Sequence, residues 1–512
     1  MTRSLPVRRY VVHVRCLSAA LAAIGLFVGC YEPTQSPPSA HPSYAIGAPA
    51  ACPGNPTVIV SDEGGLAAAL VAALPGDVIA VDGFFDVGDA IIRTDDVTLT
   101  CATPGSGLRG RGDLGLIVKV VARRVTVADL VLDATNSVEG AYVAFYDGVT
   151  NFGEDSRFLR NRVLCGATRK CVFFGSESQG GSRGGLVTDN HLTVTGGETG
   201  ITIQGVSGGR AERNTIAAAS PSGEGIRANG NEGIVVAENV VSGPWSASAH
   251  FFDGLFSSVV SDNRLEGARV DGVIFEAAAD VQFVRNTVGC GTDECLFAAG
   301  AERLVVAYNQ FSSSGSGSGV QLQGGIDGSR VAHNMIVTTA PSISGNLGGI
   351  RARDGSSVVI TDNTVIGPWA NSMALADLAD SRIERNRLEG ATGFGAGLGL
   401  GVSFREVSMT GNVLRTNQIT GAGVGGIFAR SACNNTFLGN ALEGNPDGLV
   451  LRPSTGANRY VGNRNLVVDD GDLDCNGDGV SDPNIITGPG FARHGGSVGA
   501  LVANNQGSGK LQ

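Results

Sequence analysis

The 512-residue sequence predicts an all-β chain wound as one single-stranded parallel solenoid. Three observations lead there. An Asn with an apolar residue close behind it recurs at Asn161, Asn190, Asn214, Asn239, Asn263, Asn286, Asn309, Asn334, Asn363, Asn386, Asn412, Asn440 and Asn463, about 25 residues apart. The segments around these marks, such as 281–288 and 358–365, alternate apolar and polar residues with period two, the pattern of a half-buried strand. Gly makes up 77 of 512 residues, apolar residues 42% and charged residues only 17%. That mix excludes a disordered chain, and no Gly-X-Y period or heptad points to collagen or a coiled coil.

The chain opens with Arg3, Arg8, Arg9 and Arg15 and no acid, followed by an apolar run from Leu17 to Val28. A dozen apolar residues make a signal-peptide core and are too few for a comfortable membrane span. The run ends Leu26, Phe27, Val28, Gly29, Cys30, which resembles a bacterial lipobox with Phe27 where Leu is usual. The resemblance implies cleavage after residue 29 and lipid on Cys30. It also implies residence in the cell envelope, at the outer membrane, since Tyr31 and not an Asp follows the cysteine. Residues 30–56 hold Pro33, Pro37, Pro38, Pro42, Pro49, Pro53 and Pro56 and read as a stiff tether. Loss of residues 1–29 removes four Arg and no acid, which takes the net charge from −11 to −15. Such a balance, with Lys119, Lys170 and Lys510 the only lysines, disfavours nucleic acid as a partner.

The solenoid is expected over 57–470. Leu66, Ala69, Leu70, Ala73 and Leu74 form an apolar face at helical spacing, stopped by Pro75 and Gly76. A short helix of this kind covers the open end of a repeat core. Asp77–Val81 then reads as the first strand. Further on, a second short strand follows a glycine at 200–203, 225–228, 349–352 and 426–429. Asn marks between short strands, glycine-led strands and a leading cap resemble the right-handed parallel β-helix of the pectate-lyase-like superfamily, with NosD-type repeats. The resemblance implies strands stacked in register about 4.8 Å apart. It also implies structural asparagines at the turns, tolerant of a left-handed backbone and bonded by their amides to the next coil.

A larger duplication overlies the coils. Asn161–Gly166 with Cys171 matches Asn286–Gly291 with Cys295; Gly225–Ala228 matches Gly349–Ala352; Trp245 matches Trp369; and Asn263–Gly267 matches Asn386–Gly390. The copies span about 161–285 and 286–410. Of ten cysteines, Cys16 leaves with the signal and Cys30 takes lipid, so eight remain for an oxidising compartment. Both copies keep a pair across one tight turn, so Cys165 is paired with Cys171 and Cys290 with Cys295. Cys52 with Cys101 and Cys433 with Cys475 complete the set. Zinc is the alternative, but no Cys-x-x-Cys or clustered His is present.

Residues 471–512 form a tail containing Asp474, Asn476, Asp478, Val480 and Asp482. Oxygen side chains at alternate positions, with Gly479 after the third, resemble a calcium loop of the dockerin or thrombospondin-repeat kind, here without the EF-hand glutamate. The implied cofactor is a structural calcium. The bland alternative is a polar turn.

Alternation along the glycine-led strands points Gln204, Arg227, Glu276, Gln323, Arg351 and Arg353 outward. In proteins of the resembled superfamily this sheet lines the sugar groove, and arginine forks suit carboxylates or sulfates. The alternative is an ordinary solvated face. Trp245 and Trp369, each after Gly-Pro, read as wedges packing a turn against the solenoid. Catalysis finds little support. No Gly-His-Gly or Asp-Pro-His is present, and none of His41, His191, His250, His333 and His494 recurs in the second copy. A metal-handling role of the NosD kind is opposed by scarce His and Met. The reading is therefore an exported, lipid-anchored, monomeric protein. It binds or displays at a polysaccharide or envelope surface without catalysis. The alternative is a polysaccharide lyase or epimerase acting on an anionic glycan.

Overall fold

The computed structural model describes Cys52 and residues 54–492, except 113–115, 138–139, 147–153, 168–169, 177–181, 247, 342–347, 392–395, 402–408, 453–454, 465–466 and 488–490. Cys30, the signal segment and most of the Pro-rich tether lie outside the described residues. Short strands pair in parallel with their counterparts one coil away, in three sheets. Among the described residues sheet 1 has 18 strands and starts at Val58–Val60; sheet 2 has 14 and starts at Phe84–Val87; sheet 3 starts at Ala90–Ile92. Register in sheet 3 holds over many coils: Ile226, His250, Val273, Leu296, Val320, Ile350 and Met373 stand in one inward column. The inward residues of all three sheets merge into one continuous apolar core.

The cap is helix α1, Glu63–Ala72, with Asp62 Oδ1 accepting from Gly65 N at 2.7 Å as its N-cap. Leu66 and Leu70 are buried, and Ala69 and Ala73 pack beside them. Leu74 departs from the expected face. The backbone turns extended at Ala73 (ψ 138°), which swings Leu74 out to 67% exposure. The first strand also differs: Val58–Val60 precedes α1 and pairs with Ile79–Val81.

The asparagines do what their spacing implied, with two corrections. The left-handed residue is not the Asn but the one before it: Arg160 (φ 52°), Asp189 (57°), Arg213 (54°), Asp262 (59°), Arg285 (58°), Asp362 (56°) and Arg385 (53°). The Asn side chain is spent instead on a buried ladder. Asn190 Oδ1 accepts from Asn161 N (2.9 Å) and Asn161 Nδ2 (3.2 Å), and the pattern repeats from coil to coil. Beyond Asn386 the ladder continues through Asn417, Asn440 and Asn463. Asn412 belongs to a second ladder, with Asn435, Asn458 and Asn484, at the turn that leads into sheet 1. Buried amides are costly unless paired, and here each satisfies the next. Outside the ladder, the left-handed residues form bidentate ion pairs between coils: Arg160–Asp129, Arg213–Asp189, Arg285–Asp262 and Arg385–Asp362.

All four expected disulfides form: Cys52–Cys101, Cys165–Cys171, Cys290–Cys295 and Cys433–Cys475. Trp245 and Trp369 are fully buried wedges, and Trp369 Nε1 donates to Ile366 O at 3.2 Å. In mid-core Phe252 stacks on Phe275 (5.0 Å between centroids), which meets Phe283 edge-on (5.7 Å).

Candidate functional site: the outer face of sheet 3

Period-two alternation and one-coil register together place the outward residues of sheet 3 in two parallel columns. The first runs Thr202, Arg227, Phe251, Ile274, Phe297, Gln321, Arg351. The second runs Gln204, Asn229, Asp253, Glu276, Ala299, Gln323, Arg353. All six residues expected on this face are therefore on it, in two adjacent columns. Thr202 and Gln321, which alternation also points outward, are nevertheless buried at 3% and 5% exposure. The polar stretch has ends. Towards the N-terminus Phe173 and Val121 are buried in a small apolar cluster of their own, with Ile91 and Leu116. Towards the C-terminus Ala374 and Ala376 continue the columns and are buried.

Arg227 and Arg351 are held in place. Arg227 lies over the Phe251 ring (5.1 Å to the centroid), with Glu224 Oε1 at 3.9 Å from its Nη1. With its amide oxygen turned to the guanidinium, Asn229 accepts from Arg227 Nε at 3.2 Å. Arg351 Nη1 donates to Gln321 Oε1 at 3.0 Å, and Gln321 Nε2 donates to Gln323 Oε1 at 3.3 Å. Burial, and then the neighbouring Arg353, pull the Arg351 guanidinium below its usual value. Arg353 Nε stands 3.5 Å from Asp354 Oδ2, outside hydrogen-bond geometry.

Sequence reasoning missed one group of acids on the flank of this face. Asp271, Asp293 and Glu294 bring their carboxylate oxygens within 4.8 Å of one another. Burial, and then the neighbouring acids, raise the Glu294 carboxyl well above the ordinary carboxylate range. The available signal was register: Val273 pairs with Leu296, and Asp271 and Glu294 each stand two residues before that pair, one coil apart.

In the tail, Asp474 gathers its loop. Its Oδ1 accepts from Asn476 N (3.2 Å) and Gly477 N (2.7 Å), and its Oδ2 from Gly479 N (2.7 Å). These backbone donors, Gly479 first, hold its carboxyl below the usual range. Asp478 Oδ1 accepts from Val480 N, and Asp482 Oδ2 from Cys475 N, both at 2.9 Å. The loop is an excursion between coils, since Ile485–Thr487 returns to pair with Arg459–Val461.

Among curated proteins none matches the sequence. Several solved structures are similar to the chain at low identity. The Dettilon tailspike protein is 14% identical over 78% of this chain and 66% of its own, with a TM-score of 0.35. The periplasmic alginate epimerase AlgG is 13% identical over 75% and 85%, with a TM-score of 0.38. An alginate lyase from Paenibacillus sp. str. FPU-7 is 12% identical over 60% and 93%, with a TM-score of 0.30. The family model described as right handed beta helix region matches residues 178–336 and 315–442, more than half of the chain. With its parallel coils, its asparagine ladders and that match, the chain belongs to the right-handed β-helix family.

Proposed function

We propose that the outer face of sheet 3, from Arg227 to Arg353, binds an extended anionic polysaccharide at the cell envelope without cleaving it. The supporting observation is the in-register pair of columns. Arginines at both ends flank an apolar strip of Phe251, Ile274 and Phe297, bordered by Asp253 and Glu276. Arg227 and Arg351 stand five coils apart, about 24 Å at the usual strand spacing. A chain bearing carboxylates or sulfates at both ends of that span would meet a guanidinium at each. Between them Asp253 and Glu276, both exposed, would accept from sugar hydroxyls. Binding to an array of anionic and neutral polysaccharides tests the reading; equal signals from both classes, or none, sink it.

The half-buried place of Arg351 on this face supports a second reading, in which its guanidinium acts as a base in β-elimination or epimerisation. Ultraviolet absorbance from an unsaturated product, or inversion of a sugar centre, would separate it from binding alone. Two subsidiary proposals complete the picture. Cys30 carries the lipid that tethers the protein to the membrane, and labelled palmitate that incorporates equally into Cys30→Ser would dismiss it. The loop of Asp474, Asn476, Asp478, Val480 and Asp482 holds a structural calcium. Its hard oxygen donors suit that ion, and the loop is already folded around Asp474.

A further inference from the structure

The turn closed by the Cys290–Cys295 disulfide presents Asp293 and Glu294 to Asp271, which lies one coil below Glu294. Glu294 N donates to Asp271 Oδ1 at 3.2 Å, which fixes the two coils against each other here. Glu294 is 7% exposed, Asp271 half-buried and Asp293 open to solvent. Among the described residues no Arg or Lys forms an ion pair with any of the three. Arg351 acts on Glu294 electrostatically, but its Nη1 is engaged by Gln321.

A second observation is independent of the acids. Ser248 pairs with Asp271 in the parallel ladder one coil below, so its side chain projects to the same side. It is fully buried, and its Oγ has no hydrogen-bond partner. This orphaned hydroxyl, in register with Asp271, is a further oxygen donor in the same column.

Three carboxylates this close, one of them out of water, need a counter-charge to be ionised together. Two oxygens on opposite sides of a calcium ion stand about 4.8 Å apart, twice the usual distance of about 2.4 Å. All three carboxylates lie within that reach of one another. The first copy of the duplication puts Lys170 where Glu294 stands, with Nζ over the Phe173 ring at 4.3 Å, so this acid belongs to the second copy.

We propose that Asp271, Asp293 and Glu294 hold a calcium ion that clamps two successive coils on the flank of the sheet-3 face. The site does not depend on what the face itself binds. The test uses the chain carrying Asp478→Ala, which removes the tail loop as a competing site. It is stripped with chelator, then titrated with calcium chloride at pH 7 by calorimetry and thermal unfolding. The expected result is one ion per chain and a rise in Tm. Adding Glu294→Gln should abolish both and, without calcium, raise Tm by relieving the carboxylate crowding. A parent that binds no calcium, or a Glu294→Gln response equal to the parent's, overturns the proposal. If Glu294→Gln does not fold, Asp293→Asn at its exposed position serves instead: at least tenfold weaker binding supports the site, and unchanged binding overturns it.

Discussion

Asn309 accepts two hydrogen bonds from Asn286, one from the backbone N–H at 2.8 Å and one from Nδ2 at 3.1 Å, through a single buried amide oxygen. Asn309→Leu keeps the volume and removes that oxygen. Asn286 N loses its partner, and the Phe283 and Asn334 oxygens lose the donor Asn309 Nδ2, whereas Asn286 Nδ2 keeps Val260 O; each such loss costs about 1–3 kcal/mol. A destabilisation of about 3 kcal/mol in denaturant unfolding is expected, whereas a change below 1 kcal/mol would mean that the ladder is decoration. Residues outside the turn should behave differently, because their hydrogen bonds run strand to strand.

The helix cap separates two leucines that look alike in the sequence. Leu70→Ala should cost about 2–5 kcal/mol, as for other buried leucines. Leu74→Lys, at an exposed position past the helix, should stay within about 0.5 kcal/mol. Thermal melting of the two variants checks both, and a large loss from Leu74→Lys would place that side chain in the core.

His250 links stability to pH. Its Nδ1 must carry the hydrogen, because it faces the Ala249 carbonyl at 2.8 Å, so Nε2 is a bare acceptor with no donor. Complete burial pushes its pKa down to about 4. The unfolded chain protonates near the ordinary value of about 6.5 and so binds more protons between those limits. Stability should therefore be full above about pH 6.5 and fall as pH drops towards about 4, by on the order of 3 kcal/mol. His250→Leu should remove that part of the slope. A denaturation midpoint with the same pH dependence in both proteins would refute the assignment.

The arginine columns predict a pattern in binding rather than a single loss. Arg227→Ala and Arg351→Ala should each weaken an anionic polysaccharide at least tenfold, about 1.4 kcal/mol. Raised salt should weaken the wild type more than either variant. Gln204→Ala, at the margin, should matter less. Equal affinity for all four proteins by calorimetry would leave the face without a role.

In the Glu294→Gln background, calcium should still raise Tm through the tail loop, and Asp478→Ala should cancel that rise. No rise in the parent would retire the loop as a calcium site.

The solenoid, its strands and its disulfides were legible because they rest on local period and on spacing along one chain. The ladder was nearly so: thirteen marks located it, but Asn412 and Asn417 stand five residues apart, and spacing alone could not assign them to different turns. Helix periodicity put Leu74 on the buried face, because periodicity says nothing of where the backbone leaves the helix. The trio of Asp271, Asp293 and Glu294 escaped for another reason. Proximity across coils depends on exact register, and the disulfide-closed turn sets that register only once the chain is wound.

The asparagine ladder crosses from the first copied block to the second without a change of partner or geometry, since Asn263 meets Asn286 as Asn239 meets Asn263. Each coil between Asn161 and Asn463 therefore offers the same connector above and below. A stretch of such coils can be spliced in or cut out as a cassette, and the joint needs no new chemistry. Length in this protein is an adjustable dimension, set by how many interchangeable units are threaded between a fixed lid and a fixed clasp.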